Sequence, residues 1–279
     1  MTTTHTVRVP GATIHYEVRG SGPALVAAGS PMASQYFAPL AQALADSFTV
    51  ITYDPRGIGR STIDDPTQES TPDLRADDVL AVLDAVGAER ADFFGSSGGA
   101  VTGLALATRY PDRVRTLVAH EPPLLAILPD AAEQLAGTDE IIATYHRHGL
   151  GAAFGAFMAQ AGFPDDEPGP DAHDPAAPDG PPQEPSEQDL FEGGRFFTSE
   201  LKATVTYRPD VTALTSGAVR VIPGIGVDSG HLLTQRTTAA LAALLGLDMV
   251  EFPGDHGGFL PEPAAFADVL RTVLAPSRV

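Results

Sequence analysis

Gly95-Ser96-Ser97-Gly98-Gly99 has the form G-x-S-x-G, with Ser97 at its centre. The apolar run Ala91-Asp92-Phe93-Phe94 before it suits a short buried strand, and Val101, Leu104, Ala105 and Thr108 after it recur at helical spacing. A strand-to-helix turn that exposes a serine hydroxyl strains the serine backbone and leaves no room for side chains nearby. Gly95 and Gly99, two residues to either side of Ser97, are what such a turn requires. A helix beginning at Gly98 would aim free N–H groups and its positive dipole end at the serine oxygen. A Gly/Ser-rich turn without chemistry has the same letters, so the rest of the chain must discriminate.

Working outward, the elements alternate. Val7-Arg8-Val9 and Ile14 to Val18 read as an antiparallel hairpin through Pro10-Gly11, and Ala24 to Ala28 as a continuous apolar strand. Phe37, Leu40, Ala41 and Leu44 mark a helix face, and Phe48 to Tyr53 the next strand. Thr71 followed by Pro72 reads as an N-cap and first helical residue, and Gly87 as that helix's end. The strand and helix of the opening motif come next, and then a strand at Val114 to Ala119. Strands without polar alternation, joined by helices, predict an α/β fold with a mostly parallel sheet covered on both faces.

The rhythm breaks after Glu121-Pro122-Pro123 and resumes at Val219 to Ile222, with a helix at about 234–245, a strand at Met249 to Phe252 and a last helix carrying Phe266, Val269, Leu270 and Val273. Residues 1–121 and 218–279 are therefore expected to form the core, with 122–217 an inserted, mainly helical lid. Within the insertion, residues 164–188 are rich in Pro, Asp and Gly and carry too little apolar surface to order firmly.

Composition removes several function classes. At 279 residues the chain can bury one sizeable core. With no cysteine it has neither disulfides nor thiolate metal ligands, and no metal or cofactor is expected. The formal charge of −19 opposes a nucleic-acid partner. Ten of those negative charges fall between Pro164 and Glu192, a stretch without Lys or Arg. No apolar stretch of about 20 residues suggests a membrane span, and no leader pattern opens the chain. The expectation is a cytoplasmic protein with a small-molecule substrate; a homodimer is left open.

Four features together resemble the α/β-hydrolase family, which includes esterases, lactonases and cofactor-free haloperoxidases. They are the elbow at Ser97, the Gly29-Ser30-Pro31 turn, the run Asp54-x-Arg56-Gly57-x-Gly59-x-Ser61, and Pro253-Gly254-Asp255-His256-Gly257. The resemblance implies an α/β-hydrolase fold with Ser97 as nucleophile, and it agrees with the chain order of nucleophile, acid and histidine. His256, on a Gly-flanked turn after a strand, would take the Ser97 proton and return it to the leaving group.

The carboxylate that orients His256 has two candidates. Asp228 follows the strand at Val219 to Ile222 and is taken first; Glu121, at the end of the strand after the elbow, is the alternative. Backbone N–H groups of Gly98 and Ser30 are the expected oxyanion donors, although Ala28 stands where the family often has histidine. The Asp54 to Ser61 run reads as structural.

The activity implied is that of a serine hydrolase cleaving an ester-like bond, of carboxylesterase or lactonase type, in a small and fairly apolar substrate. Perhydrolase or C–C bond hydrolase chemistry could use the same triad. A protein of another class, a small-molecule binder or a non-hydrolytic cyclase, could share the fold.

Overall fold

The computed structural model describes residues 2–163 and 185–275. Among the described residues, nine strands form one sheet: β1 (Thr2–Val9), β2 (Ala12–Gly20), β3 (Ala24–Ala28), β4 (Thr49–Tyr53), β5 (Thr62–Ile63), β6 (Ala91–Ser96), β7 (Val114–His120), β8 (Arg220–Gly226) and β9 (Val250–Phe252). Their spatial order is β1-β2-β4-β3-β6-β7-β8-β9, with β5 paired to β2. The expected hairpin is present: β1 and β2 pair antiparallel, as do β2 and β4, and from β4 across to β9 every pair is parallel.

Because strand side chains alternate between faces, the continuous apolar strands feed two separate cores. Val26, Phe93, Leu117 and Val221 point to one face, where they meet helices α2 (Pro72–Val86), α3 (Gly98–Arg109) and α9 (Leu233–Leu245). Leu25, Phe94, Val118 and Ile222 point to the other, against α1 (Ala38–Leu44) and α10 (Pro263–Leu274). Thr71 caps α2 by accepting from the Leu74 N–H at 3.2 Å, and Gly87 ends it in the left-handed region at φ 76°. Both are as the sequence requires.

Between β7 and β8 the chain makes α4 (Ala131–His148), α5 (Leu150–Ala161), α6 (Glu187–Arg195), a π-helical turn at Phe196–Glu200, α7 (Leu201–Val205) and α8 (Val211–Leu214). This helical segment has its own small core of Leu125, Leu128, Ile141, Ala153, Phe197, Leu201 and Val205. Most of the stretch expected to resist ordering, 164–184, lies outside the described residues. Its last residues differ from that expectation: Ser186 caps α6 in a reciprocal box with Asp189, so 187 and 188 are already helical. Among the described residues no helix is long and apolar enough to cross a membrane.

Candidate active site

Ser97 sits between the end of β6 and the start of α3 with φ 56° and ψ −124°, a conformation that non-glycine residues rarely adopt. Backbone crowding explains the glycines around it. A Cβ on Gly95 would lie 2.4 Å from the Gly99 carbonyl oxygen, and one on Gly99 would lie 2.3 Å from that of Ala28. Gly98 is pressed against the 29–31 turn, where a Cβ would meet the Ser30 carbonyl oxygen at 2.6 Å. The elbow and the turn after β3 are thus in direct backbone contact. Among the described residues, no backbone acceptor takes the N–H of Ser30 or Gly98.

The neighbouring strand brings in the carboxylate. β6 and β7 run parallel with Ser96 opposite His120, and the Ser97 N–H donates to the His120 carbonyl at 3.0 Å. The next residue, Glu121, therefore leaves the strand end beside the elbow. It too has a positive φ, 50°, and it is wholly buried. Its Oε2 lies 2.7 Å from His256 Nδ1 and accepts from Thr234 Oγ1 at 2.7 Å. Its Oε1 accepts from the Gly226 N–H at 2.9 Å and Ser229 Oγ at 2.5 Å. Burial pushes this carboxyl's pKa up, but the hydrogen bond and charge of His256, with His120 and Ser229, outweigh it and hold the group far below the usual range. Glu121 is therefore an ionised acceptor with all its oxygen capacity engaged.

His256 occupies the turn after β9. That turn is compact because Gly254 takes φ 73° and because a Cβ on Gly258 would lie 2.0 Å from the Pro253 carbonyl oxygen. Burial lowers the imidazole's pKa, but Glu121, through its hydrogen bond and charge, and the charge of Asp255 raise it above the ordinary value overall. With Nδ1 tied to Glu121, Nε2 is the nitrogen left for chemistry. Among the described residues no hydrogen bond joins Ser97 Oγ to His256. Such bonds commonly tighten only when substrate is present.

Of the two candidate carboxylates, the geometry brings Glu121, and among the described residues not Asp228, into contact with His256. Asp228 is exposed, and its backbone N–H donates to the Gly254 carbonyl at 3.0 Å. The loop after β8 instead turns the adjacent Ser229 inward, fully buried, to donate to Glu121. This loop thus contributes a hydrogen-bond donor to Glu121. Gly226, Ser229 and Thr234 had no signal in the sequence, because they matter only through Glu121.

Two further groups stand nearby. His120 is completely buried, with its ring against Phe94, Phe252 and Phe266, and burial above all, with the charge of His256, lowers its pKa to about 4 despite Glu121 and Asp255. The Asp54 to Ser61 run makes structural contacts. Asp54 accepts from the N–H groups of Ser34 and Arg60 at 2.7 and 2.8 Å, and buried Arg56 holds Asp78 of α2 with two bonds, at 2.8 and 2.6 Å.

A nine-stranded, mostly parallel sheet with a serine elbow after its central strand and a carboxylate–histidine pair at the ends of later strands defines a hydrolase of the α/β class. The chain belongs to the alpha/beta hydrolase fold family, whose profile matches residues 24–192. It is 32% identical over 276 residues to YraK, an uncharacterized hydrolase of Bacillus subtilis, covering 96% of this chain and 95% of that protein. A 128-residue part, 44% of this chain and 48% of the relative, is 38% identical to the zearalenone hydrolase of Bionectria ochroleuca. Among solved structures, the enol-lactonase from Burkholderia xenovorans superposes with a TM-score of 0.71 at 22% identity, covering 97% of this chain and 99% of that one.

Proposed function

We propose that this hydrolase cleaves a carboxylic ester or lactone of a small, fairly apolar molecule through an acyl-enzyme on Ser97. The observation that carries the reading is the His256–Glu121 pair, 2.7 Å apart, set beside the strained Ser97 elbow by the register of β6 and β7. Hydrolysis is supported by the hydrolase relatives, among them the zearalenone hydrolase, and the ester or lactone bond is this reading's own choice, in keeping with the fold shared with the enol-lactonase. The proton path follows from the pair. Glu121 fixes the proton on Nδ1, leaving Nε2 as the base that takes the Ser97 proton as Oγ attacks the carbonyl carbon. The imidazolium so formed is stabilised by the ionised carboxylate. The oxygen that gains charge is met by the N–H groups of Gly98 and Ser30, the first also at the positive end of α3. His256 then protonates the leaving alcohol, and a water activated by the same nitrogen releases the acid. The helical insertion acts as a lid, with the ring centroid of Phe163 lying 6.2 Å from that of His256.

The test is turnover of p-nitrophenyl esters of increasing acyl length and of simple lactones, with wild type beside Ser97→Ala, His256→Ala, Glu121→Gln and Asp228→Asn. Loss of about 10³-fold or more in kcat is expected for the first two, with a large loss for Glu121→Gln and wild-type rates for Asp228→Asn. Full activity in Ser97→Ala would refute the mechanism. A larger loss from Asp228→Asn than from Glu121→Gln would return the acid role to Asp228.

A further inference from the structure

The helical insertion places a second buried carboxylate against the site, and the chemistry above does not use it. Glu200 closes the π-helical turn and is only 6% exposed. Its Oε1 accepts the hydroxyl hydrogen of Ser30. A carboxylate in such a place needs a counter-charge, and Arg75 of α2, 1% exposed, supplies it with Nη1 at 3.6 Å. The same guanidinium donates to Thr102 Oγ1 at 2.9 Å and to Thr204 Oγ1 at 3.0 Å. Thr102 in turn donates to the Gly98 carbonyl at 3.0 Å. A continuous polar chain therefore runs Ser30–Glu200–Arg75–Thr102–Gly98. Its two ends are the residues whose N–H groups face the developing oxyanion in the reading above.

We propose that Glu200 is a positioning residue that fixes the Ser30 turn for oxyanion binding, so that the insertion is part of the catalytic apparatus and not only a cover. The inference rests on the serine-hydrolase reading of the site. The Ser30 hydroxyl spends its hydrogen on Glu200, which leaves the backbone N–H as this residue's donor to the substrate oxygen. Removing the carboxylate frees the turn, and the N–H no longer waits in the position the transition state requires. The sign separates this role from a through-space one. A bare negative charge near the site opposes an oxyanion, so an electrostatic effect alone makes removal of Glu200 accelerate the reaction, whereas positioning makes removal slow it.

The experiment measures the rate at which a fluorophosphonate labels Ser97, together with kcat and KM on a p-nitrophenyl ester, in wild type, Glu200→Ala, Glu200→Gln, Ser30→Ala and the double variant Ser30→Ala/Glu200→Ala, with the Tm of each. Ser97→Ala controls for labelling elsewhere. Positioning predicts that Glu200→Ala slows labelling and kcat by about tenfold or more with KM little changed. Glu200→Gln, which keeps an oxygen acceptor, should recover most of that loss. Ser30→Ala should lose a similar factor, with Glu200→Ala adding nothing further in that background. Should Glu200→Ala fail to fold, the Ser30→Ala and Glu200→Gln arms still decide. Unchanged or faster labelling in Glu200→Ala, multiplicative losses in the double variant, or wild-type rates in Ser30→Ala overturn the proposal and leave the serine-hydrolase reading intact. Wild type that is not labelled at Ser97 overturns that reading itself, and this inference with it.

Discussion

His120 shows how one residue's burial becomes a property of the whole fold. It stands immediately before Glu121, yet its ring is turned away from solvent into an aromatic cluster, and its buried Nε2 has no partner among the described residues. Burial lowers its pKa from the ordinary 6.5 to about 4, so the folded chain holds it neutral where the unfolded chain protonates it. Between those two values the unfolded state binds more protons, and stability therefore falls as pH drops through the window. His256 contributes in the opposite sense but outside this range: its raised pKa gives stability that is complete below the ordinary histidine value and is lost only at higher pH. Glu121, with a lowered pKa, keeps its contribution above the ordinary carboxylate value of 4.5 and loses it only as pH falls further. Urea unfolding at pH 7 and pH 4.5 should accordingly show wild type losing roughly 2–3 kcal/mol more than His120→Gln between the two conditions. Equal losses would mean that His120 is solvated or paired.

At the scale of elements, the elbow depends on close backbone approach and not on glycine flexibility in general. Gly95 lies against the Gly99 carbonyl, so Gly95→Ala forces one backbone away from another and should cost roughly 2–4 kcal/mol in denaturant unfolding, with loss of activity. Gly155, on the exposed side of α5, has nothing within 4 Å of where its Cβ would be. Gly155→Ala should instead gain about 0.5–1 kcal/mol, the difference in helix propensity. Comparable effects from the two substitutions would contradict the steric account. The same contrast shows what was readable beforehand. The elbow, the capped start of α2 and the alternation of strand and helix are set by residues within a few positions of one another, and all were legible. The capped start of α6 lay in a stretch whose composition argued for no order, because two residues, Ser186 and Asp189, outweigh the average of their surroundings.

For the molecule as a whole, three cores mean unequal stability. Every residue of β6 is buried, whereas α4 buries only Thr138 and Ile141, and α5 only Ala153. Elements with so little buried surface open at a lower free energy than the sheet. Amide hydrogen exchange should find α4 and α5 exchanging at least tenfold faster than β6 and β7; uniform protection would show that the insertion opens only with the sheet. By itself, the sequence determined the α/β class, the Ser97 elbow and the His256 turn, since each depends on local spacing and on small residues where a turn admits no Cβ. Only the tertiary structure decided which carboxylate meets His256. That partner lies 135 residues away, and the choice between Glu121 and Asp228 follows from the register of β6 on β7 and from which residue of the loop after β8 faces inward. The contact of Glu200 with Ser30, across 170 residues, is of the same kind. Buried charges are paired by whatever the fold brings next to them, and no local pattern along the chain records that choice.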